Sequence, residues 1–240
     1  SLGLSCLFAM IFAWLVGRLQ QELTRLATTD PLTGCLNRSQ LADILNSQIQ
    51  LRERYERVSS LVLIDLDYFK TINDRWGHLA GDRVLIEVAR RLEKTVREGD
   101  SVARLGGDEF TVLVPEIDSL GGLECLAQRL IDAIYEPMHI NGRALFVSAS
   151  IGISLFPGDG SNEEQLLRFA DTAMYRSKEL GRNKFRFYNS EMSERTRQEM
   201  RLEERLHHAL AKGALNLHYQ PKINLASGCL EGLEALLRWH

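Results

Sequence analysis

The sequence predicts an α+β sandwich in which helices cover a mostly antiparallel sheet. Three observations point there. Two apolar runs, Val102 to Leu105 and Phe110 to Val114, meet across Gly106-Gly107. A glycine pair between such runs reads as a β-hairpin turn, because both positions take positive φ without a Cβ penalty. Leu61 to Leu66 is a near-continuous apolar run, the pattern of a central strand covered on both faces. The elements then follow as helix, strand, helix, hairpin, helix, strand, helix, strand, an order that suits helices laid over one sheet.

The bulk properties agree. At 240 residues, 45% hydrophobic and 25% charged, the chain can bury one good-sized core, or one domain plus fragments of others. A formal net charge of −3 gives no electrostatic ground for nucleic-acid binding. Cys6, Cys35, Cys125 and Cys229 are scattered without a C-x-x-C pair. They imply neither a zinc site nor a disulfide framework and read as reduced, cytosolic thiols.

From the start, Leu2 to Gly17 carries no charge. Such a run rises about 24 Å, short of the ~30 Å hydrocarbon core. Residues 1–17 are therefore expected to be the end of a transmembrane helix inside which the chain begins; a buried soluble helix is the alternative. Arg18 and Arg25 follow, which puts that side in the cytoplasm by the positive-inside rule. Leu15, Leu19, Leu23 and Leu26 then step along a helical stalk over 18–29. That stripe suits pairing with a second copy and, equally, packing on its own domain.

Leu36 to Arg57 predicts a long amphipathic helix with Leu41, Ile44, Leu45, Gln48, Ile49 and Arg52 on one face. After the Leu61–Leu66 strand, Gly81-Asp82 opens a helix in which Val84, Leu85, Val88, Ala89, Leu92 and Val96 keep a 3.6 period. Ser119 to Tyr135 is the next helix. Ala144 to Leu155 is expected to be one strand, turning Val147, Ala149, Ile151 and Ile153 to one side. Ser161-Asn162-Glu163-Glu164 has the S-x-x-E form of a capping box, starting a helix that ends at Gly181. If its last turn continues, Lys178 and Arg182 share a face. Lys184 to Tyr188 is a final short strand, and the charged stretch Ser190 to Lys212 reads as a linker helix before a last segment over 213–240.

The chemistry gathers at two strand ends. Asp108 and Glu109 stand side by side after the glycine turn, and Asp65 and Asp67 close the Leu61–Leu66 run. A solvated turn is the ordinary reading of Gly-Gly-Asp-Glu alone. Two strands that each deliver carboxylates are what a Mg²⁺ site with bound phosphates requires.

Three blocks carry a family resemblance. Gly106-Gly107-Asp108-Glu109-Phe110 reads GGDEF, Asp65 to Asp74 fits DxDxFKxxND, and Asp30-Pro31-Leu32-Thr33-Gly34 reads DPLTG. In this order and spacing they resemble the GGDEF family of diguanylate cyclases over roughly residues 27–190, with a domain expected at 30–190. The resemblance implies a palm-like sheet and the joining of two GTP into cyclic di-GMP with release of two pyrophosphates. It implies Mg²⁺ (or Mn²⁺) held by Asp65, Asp108 and the backbone carbonyl of Leu66. Asp108 takes the place of a candidate general base and Glu109 of a second acid, while Asp67 stays open between metal site and scaffold.

Guanine offers N1–H and N2–H₂ donors beside an O6 acceptor, which a carboxylate and an amide can read. Asn73 and Asp82 match the family's guanine contacts, and Lys70, Lys178 and Arg182 its phosphate contacts. Arg97-Glu98-Gly99-Asp100 is an RxxD that resembles the inhibitory product site, formed by Arg97 and Asp100. A product joining two nucleotides implies a homodimer, and the family context implies a bacterial inner membrane with the catalytic domain in the cytoplasm.

Beyond 213, Leu217 to Pro221 and Glu231 to Trp239 resemble the opening of an EAL domain, the cyclic-di-GMP phosphodiesterase barrel. Such a barrel is of the TIM type and needs ~250 residues. By that resemblance Glu234 matches a metal-binding glutamate, and Gln220 and Arg238 match positions near the substrate. Two other readings remain: a catalytically silent GTP-binding module that tunes an attached phosphodiesterase, and an ATP-using cyclase, which Asn73 and Asp82 disfavour.

Overall fold

The computed structural model describes residues 2–55, 58–117, 119–140, 142–189, 209, 214–226 and 228–239, with the backbone alone at 2–11, 13, 21, 23, 51–55, 143 and 239. The chain divides into two compact units, residues 1–192 and 193–240.

In the first unit, α1 (Leu2–Thr28) and α2 (Arg38–Tyr55) precede β1 (Ser59–Leu66). Then come α3 (Phe69–Trp76), α4 (His78–Thr95), β2 (Ser101–Gly106), β3 (Glu109–Val114) and α5 (Leu120–Tyr135). A small hairpin of β4 (Met138–Ile140) and β5 (Arg143–Leu145) follows, then β6 (Ala149–Phe156), α6 (Glu163–Glu179) and β7 (Lys184–Phe187). The main sheet has the order β2-β3-β1-β6-β7. Its pairs are antiparallel except β6 with β7, as the sequence predicts for a mostly antiparallel sheet.

β1 is the central strand, and its period-2 alternation feeds two cores. Val62 and Ile64 pack with Val84, Val88 and Leu92 of α4 and with Leu130 and Ile134 of α5. Leu61 and Leu63 pack on the opposite face with Leu41 and Leu45 of α2 and with Leu166, Ala170 and Met174 of α6. Each such fully buried aliphatic side chain contributes about 1.5–3 kcal/mol. Gly152 lets α6 lie directly on β6: a Cβ there would stand 1.9 Å from the Ala170 carbonyl oxygen.

Several boundaries differ from expectation, each for a local reason. The hairpin turn is Gly107-Asp108, because Gly106 still pairs with Glu109 after an irregularity between Arg104 and Gly106. α4 begins at His78, before Gly81, and α3 is a helix the sequence reading did not separate. The strand expected over 144–155 is two, β5 and β6, with 146–148 between them. α6 is capped by Asn162, whose side chain accepts from the Gln165 N–H at 2.9 Å, while Gln165 Oε1 accepts from the Ser161 N–H at 2.9 Å. The reciprocal pair thus sits one residue later than the S-x-x-E pattern. Ser119 caps α5 by accepting from the Gly122 N–H at 3.1 Å.

The stalk is the second half of α1, and there Leu15, Leu19 and Leu26 are exposed rather than packed on the domain. The Leu23 side chain lies outside the described residues. Among the described residues no helix is long and apolar enough to cross a membrane, and the segment expected over 1–17 rests mainly on side chains outside them. The linker helix expected over 190–212 also lies, save for Ala209, outside the described residues. The second unit shows one antiparallel hairpin, β8 (Leu215–Ile223) with β9 (Leu230–Trp239), and no barrel among the described residues.

Candidate active site

The register of the central strands brings the two acidic ends together. Asp65 on β1 is the direct partner of Glu109 on β3, and partners in an antiparallel pair hold their Cβ atoms about 4.5–5.5 Å apart on one face. The Leu66 N–H donates to the Asp108 carbonyl at 3.3 Å, which fixes the hairpin turn to the end of β1. Asp65, Leu66, Asp108 and Glu109 therefore meet at one end of the central strands.

That end of the sheet is rich in carboxylates. Burial pushes the Asp65 pKa up, the 2.8 Å ion pair with Lys178 Nζ opposes this, and Asp108 and Asp67 add to the rise. Burial also raises the Glu109 pKa, reinforced by Asp65, Asp171 and Asp108. Among the described residues no three His, Cys, Asp or Glu side chains form a ready cage for a metal ion. A Mg²⁺ ion does not need one: it takes one or two carboxylates and leaves the rest to water and phosphate oxygens. Asp65, the Leu66 carbonyl and Asp108 suit such a site, because their crowded charges favour a cation.

Asp67 goes elsewhere. Its side chain is fully buried and accepts from the hydroxyls of Ser148 and Ser150, both at 2.7 Å, and from the Asn183 N–H at 3.3 Å. These bonds tie the end of β1 to residues 148–150 and to the turn after α6. Lys178 and Arg182 do not share a helix face, since α6 stops at Glu179 and Arg182 has φ 59°. They arrive separately, Lys178 at Asp65 and Arg182 Nε 3.9 Å from Asp67 Oδ1. Lys70 is exposed in the first turn of α3.

Asn73 of α3 lies against α4 at Gly81, one residue before Asp82: a Cβ at Gly81 would lie 1.9 Å from Asn73 Oδ1, so the missing side chain leaves room for the amide there. The RxxD residues are together at the far end of β2, roughly 20 Å from the turn at ~3.3 Å per residue. Arg97 donates to Asp100 through its backbone N–H at 3.2 Å and through Nε at 3.5 Å, and Arg97 Nη2 also donates to the Glu116 carbonyl. With Arg129 and Ser119 they border a pocket of about 150 Å³. In the second unit Gln220 is the partner of Glu234, and Arg238 is partnered with Asn216 on the same face. Lys222 Nζ stands 3.4 Å from Glu234.

The sequence reading missed Asp171, Ser148 and Ser150. Asp171 precedes Lys178 by seven residues, two helical turns, so its shared face was readable from spacing. It borders, with Glu109, Arg38 and Arg168, an open groove of about 410 Å³. The serines had no local signal, because their role depends on β6 lying beside β1.

The family model described as "Diguanylate cyclase, GGDEF domain" matches residues 27–184. The chain is 42% identical over 229 residues to the bifunctional diguanylate cyclase/cyclic di-GMP phosphodiesterase MucR of Pseudomonas aeruginosa, covering 95% of this chain and 33% of that protein. It is 39% identical over 218 residues to the cyclic di-GMP phosphodiesterase NbdA of the same organism, covering 91% and 28%. The chain thus spans a third or less of the length of these curated relatives. The crystal structure of the coiled coil and GGDEF domain of DgcB from Caulobacter crescentus, in complex with c-di-GMP, superposes with a TM-score of 0.69 at 25% identity, covering 78% of this chain and 99% of that one. The five-stranded sheet with its helices is the palm-like α+β fold of these domains.

Proposed function

The chain belongs to the GGDEF diguanylate cyclase domain family, and from that premise we propose that it condenses two GTP into cyclic di-GMP and two pyrophosphates. One observation carries the reading: Asp65 and Glu109 face each other in register while Asp108 is tied by its backbone to Leu66. Each ribose 3′ oxygen bonds to the other nucleotide's α-phosphorus, the bond to the bridging oxygen of the β-phosphate breaks, and pyrophosphate leaves. Asp108 takes the hydroxyl proton. A divalent cation, Mg²⁺ or Mn²⁺, held by Asp65, Asp108 and the Leu66 carbonyl, would supply the charge that acidifies the 3′ hydroxyl and shields the phosphates.

Asn73 and Asp82 read guanine, Lys70, Lys178 and Arg182 hold phosphates, and Arg97 with Asp100 takes up the product as inhibitor. One chain has one such set of contacts, so two copies face each other, held close by the exposed Leu15, Leu19 and Leu26 stripe. The uncharged run over 2–17 anchors the pair at a bacterial inner membrane with the sheet domain in the cytoplasm. The β8–β9 hairpin, with Gln220, Glu234 and Arg238, is the opening of an EAL domain.

A second reading, a GTP-binding module without synthesis that tunes an attached phosphodiesterase, is favoured by the likeness to NbdA, which is named for the hydrolytic activity alone. Incubation with GTP and Mg²⁺ followed by mass detection separates the two. Cyclic di-GMP supports the cyclase; bound GTP without product supports the module.

A further inference from the structure

We infer that Tyr68 is a positioning residue that aims the Arg182 guanidinium at the substrate's phosphates, an inference that rests on the GTP-binding reading of this site. Arg182 Cζ lies 4.7 Å from the centroid of the Tyr68 ring, inside the ~6 Å over which a ring face attracts a cation. Arg182 Nε also stands 3.9 Å from Asp67 Oδ1. An arginine has many rotamers to lose when it binds a phosphate. Contacts to a ring and to a carboxylate restrict this one beforehand, and a pre-aimed guanidinium binds more tightly than a free one.

The backbone supports the same reading. Among the described residues, Tyr68, Arg182 and Asn183 are the non-glycine positions with left-handed backbone, at φ 58°, 59° and 47°. That conformation is unfavourable for bulky side chains and persists only where surroundings impose it. Asp67 links the two stretches: it immediately precedes Tyr68, and its carboxylate accepts from the Asn183 N–H. Tyr68 is 64% exposed, so it does not serve the core. A core role being absent, the ring's contact is with Arg182. The contact uses the face of the ring and not its hydroxyl, so phenylalanine should serve as well.

The test measures affinity for 3′-deoxy-GTP with Mg²⁺ by calorimetry, since this analogue lacks the attacking hydroxyl and cannot turn over. Tyr68→Phe is expected to bind as the unsubstituted chain does. Tyr68→Ala and Tyr68→Leu are each expected to weaken binding about three- to fivefold, the range of an exposed cation–π contact. In an Arg182→Ala background the same changes should have no further effect. Unchanged binding by Tyr68→Ala, or an equal loss with and without Arg182, overturns the inference. If the chain binds the analogue yet makes no cyclic di-GMP from GTP, the cyclase reading fails while these affinities still decide the role of Tyr68. If it does not bind the analogue, both fall.

Discussion

Arg104 joins the carboxylate of Asp30, at 3.0 Å from Nη1, to the carbonyl of Gly107, at 3.1 Å from Nε and 2.7 Å from Nη2. One half-buried side chain therefore ties the turn after α1 to the turn that carries Asp108. Burial alone would lift the Asp30 pKa, but hydrogen bonds from Thr33 and the charge of Arg104 outweigh it and hold the carboxyl below 3.8. The contribution of this group is present at neutral pH and is lost as pH falls below that value.

Arg104→Ala should cost about 1–3 kcal/mol of stability, the loss of charge-assisted bonds to a partly buried acid. Because the hairpin turn loses an anchor, kcat should fall about tenfold, which needs only a small displacement of the reacting groups. Thermal melting and steady-state kinetics check both. A variant that melts lower but turns over normally would make Arg104 a purely structural tie.

Glu109→Gln should raise stability while lowering activity. The Glu109 pKa is raised above 4.5, first by burial and then by Asp65, Asp171 and Asp108. The folded state then binds more protons than the unfolded one as pH passes between the two values. The ionised group costs stability at neutral pH, and the cost vanishes as pH falls through the folded pKa. Without added metal, the variant should melt higher at pH 7, with the gap closing toward low pH. A lower melting temperature at pH 7 would contradict this electrostatic reading.

Gly81→Ala should raise KM for GTP with little change in stability, because the new methyl would displace the end of the Asn73 side chain rather than backbone. The preference for GTP over ATP should relax with it, since guanine donors are left unpaired. An unchanged ratio of kcat/KM for the two nucleotides would remove Asn73 from guanine reading.

The acidic strand ends were legible in the sequence because they are local: the Asp65 and Asp108 motifs each sit within one strand and its turn. What was not legible depends on how segments meet. The alternation Val147, Ala149, Ile151 runs unbroken in sequence across the gap between β5 and β6, so periodicity did not reveal the break. Lys178 and Arg182 looked like one face only if the helix continued, and the left-handed turn at Arg182 and Asn183 sends them apart. The choice left open at Asp67 depended on Ser148 and Ser150, which reach it from just before and within β6, 81 and 83 residues away. Asn162 outcompetes Ser161 as cap of α6, a one-residue choice that side-chain chemistry alone leaves open.

Dilution tests the facing arrangement. A chain starting near Ala27, without the exposed leucine stripe, should lose specific activity as protein falls from micromolar to nanomolar. The rate should then rise roughly as the square of concentration while monomer dominates. Replacing residues 1–26 with a dimeric coiled coil should restore activity at low concentration. Flat specific activity from a monomeric chain would rule out a two-copy reaction.

The most direct measurement is cyclic di-GMP formed from GTP and Mg²⁺ by the unsubstituted chain and by Asp108→Ala, quantified by mass. The account predicts product from the first and less than about a tenth of that rate from the second, a loss exceeding ~1.4 kcal/mol of barrier, with both proteins melting alike. Product formed at similar rates by both would contradict it, because the carboxylate at the turn would then take no part in the chemistry.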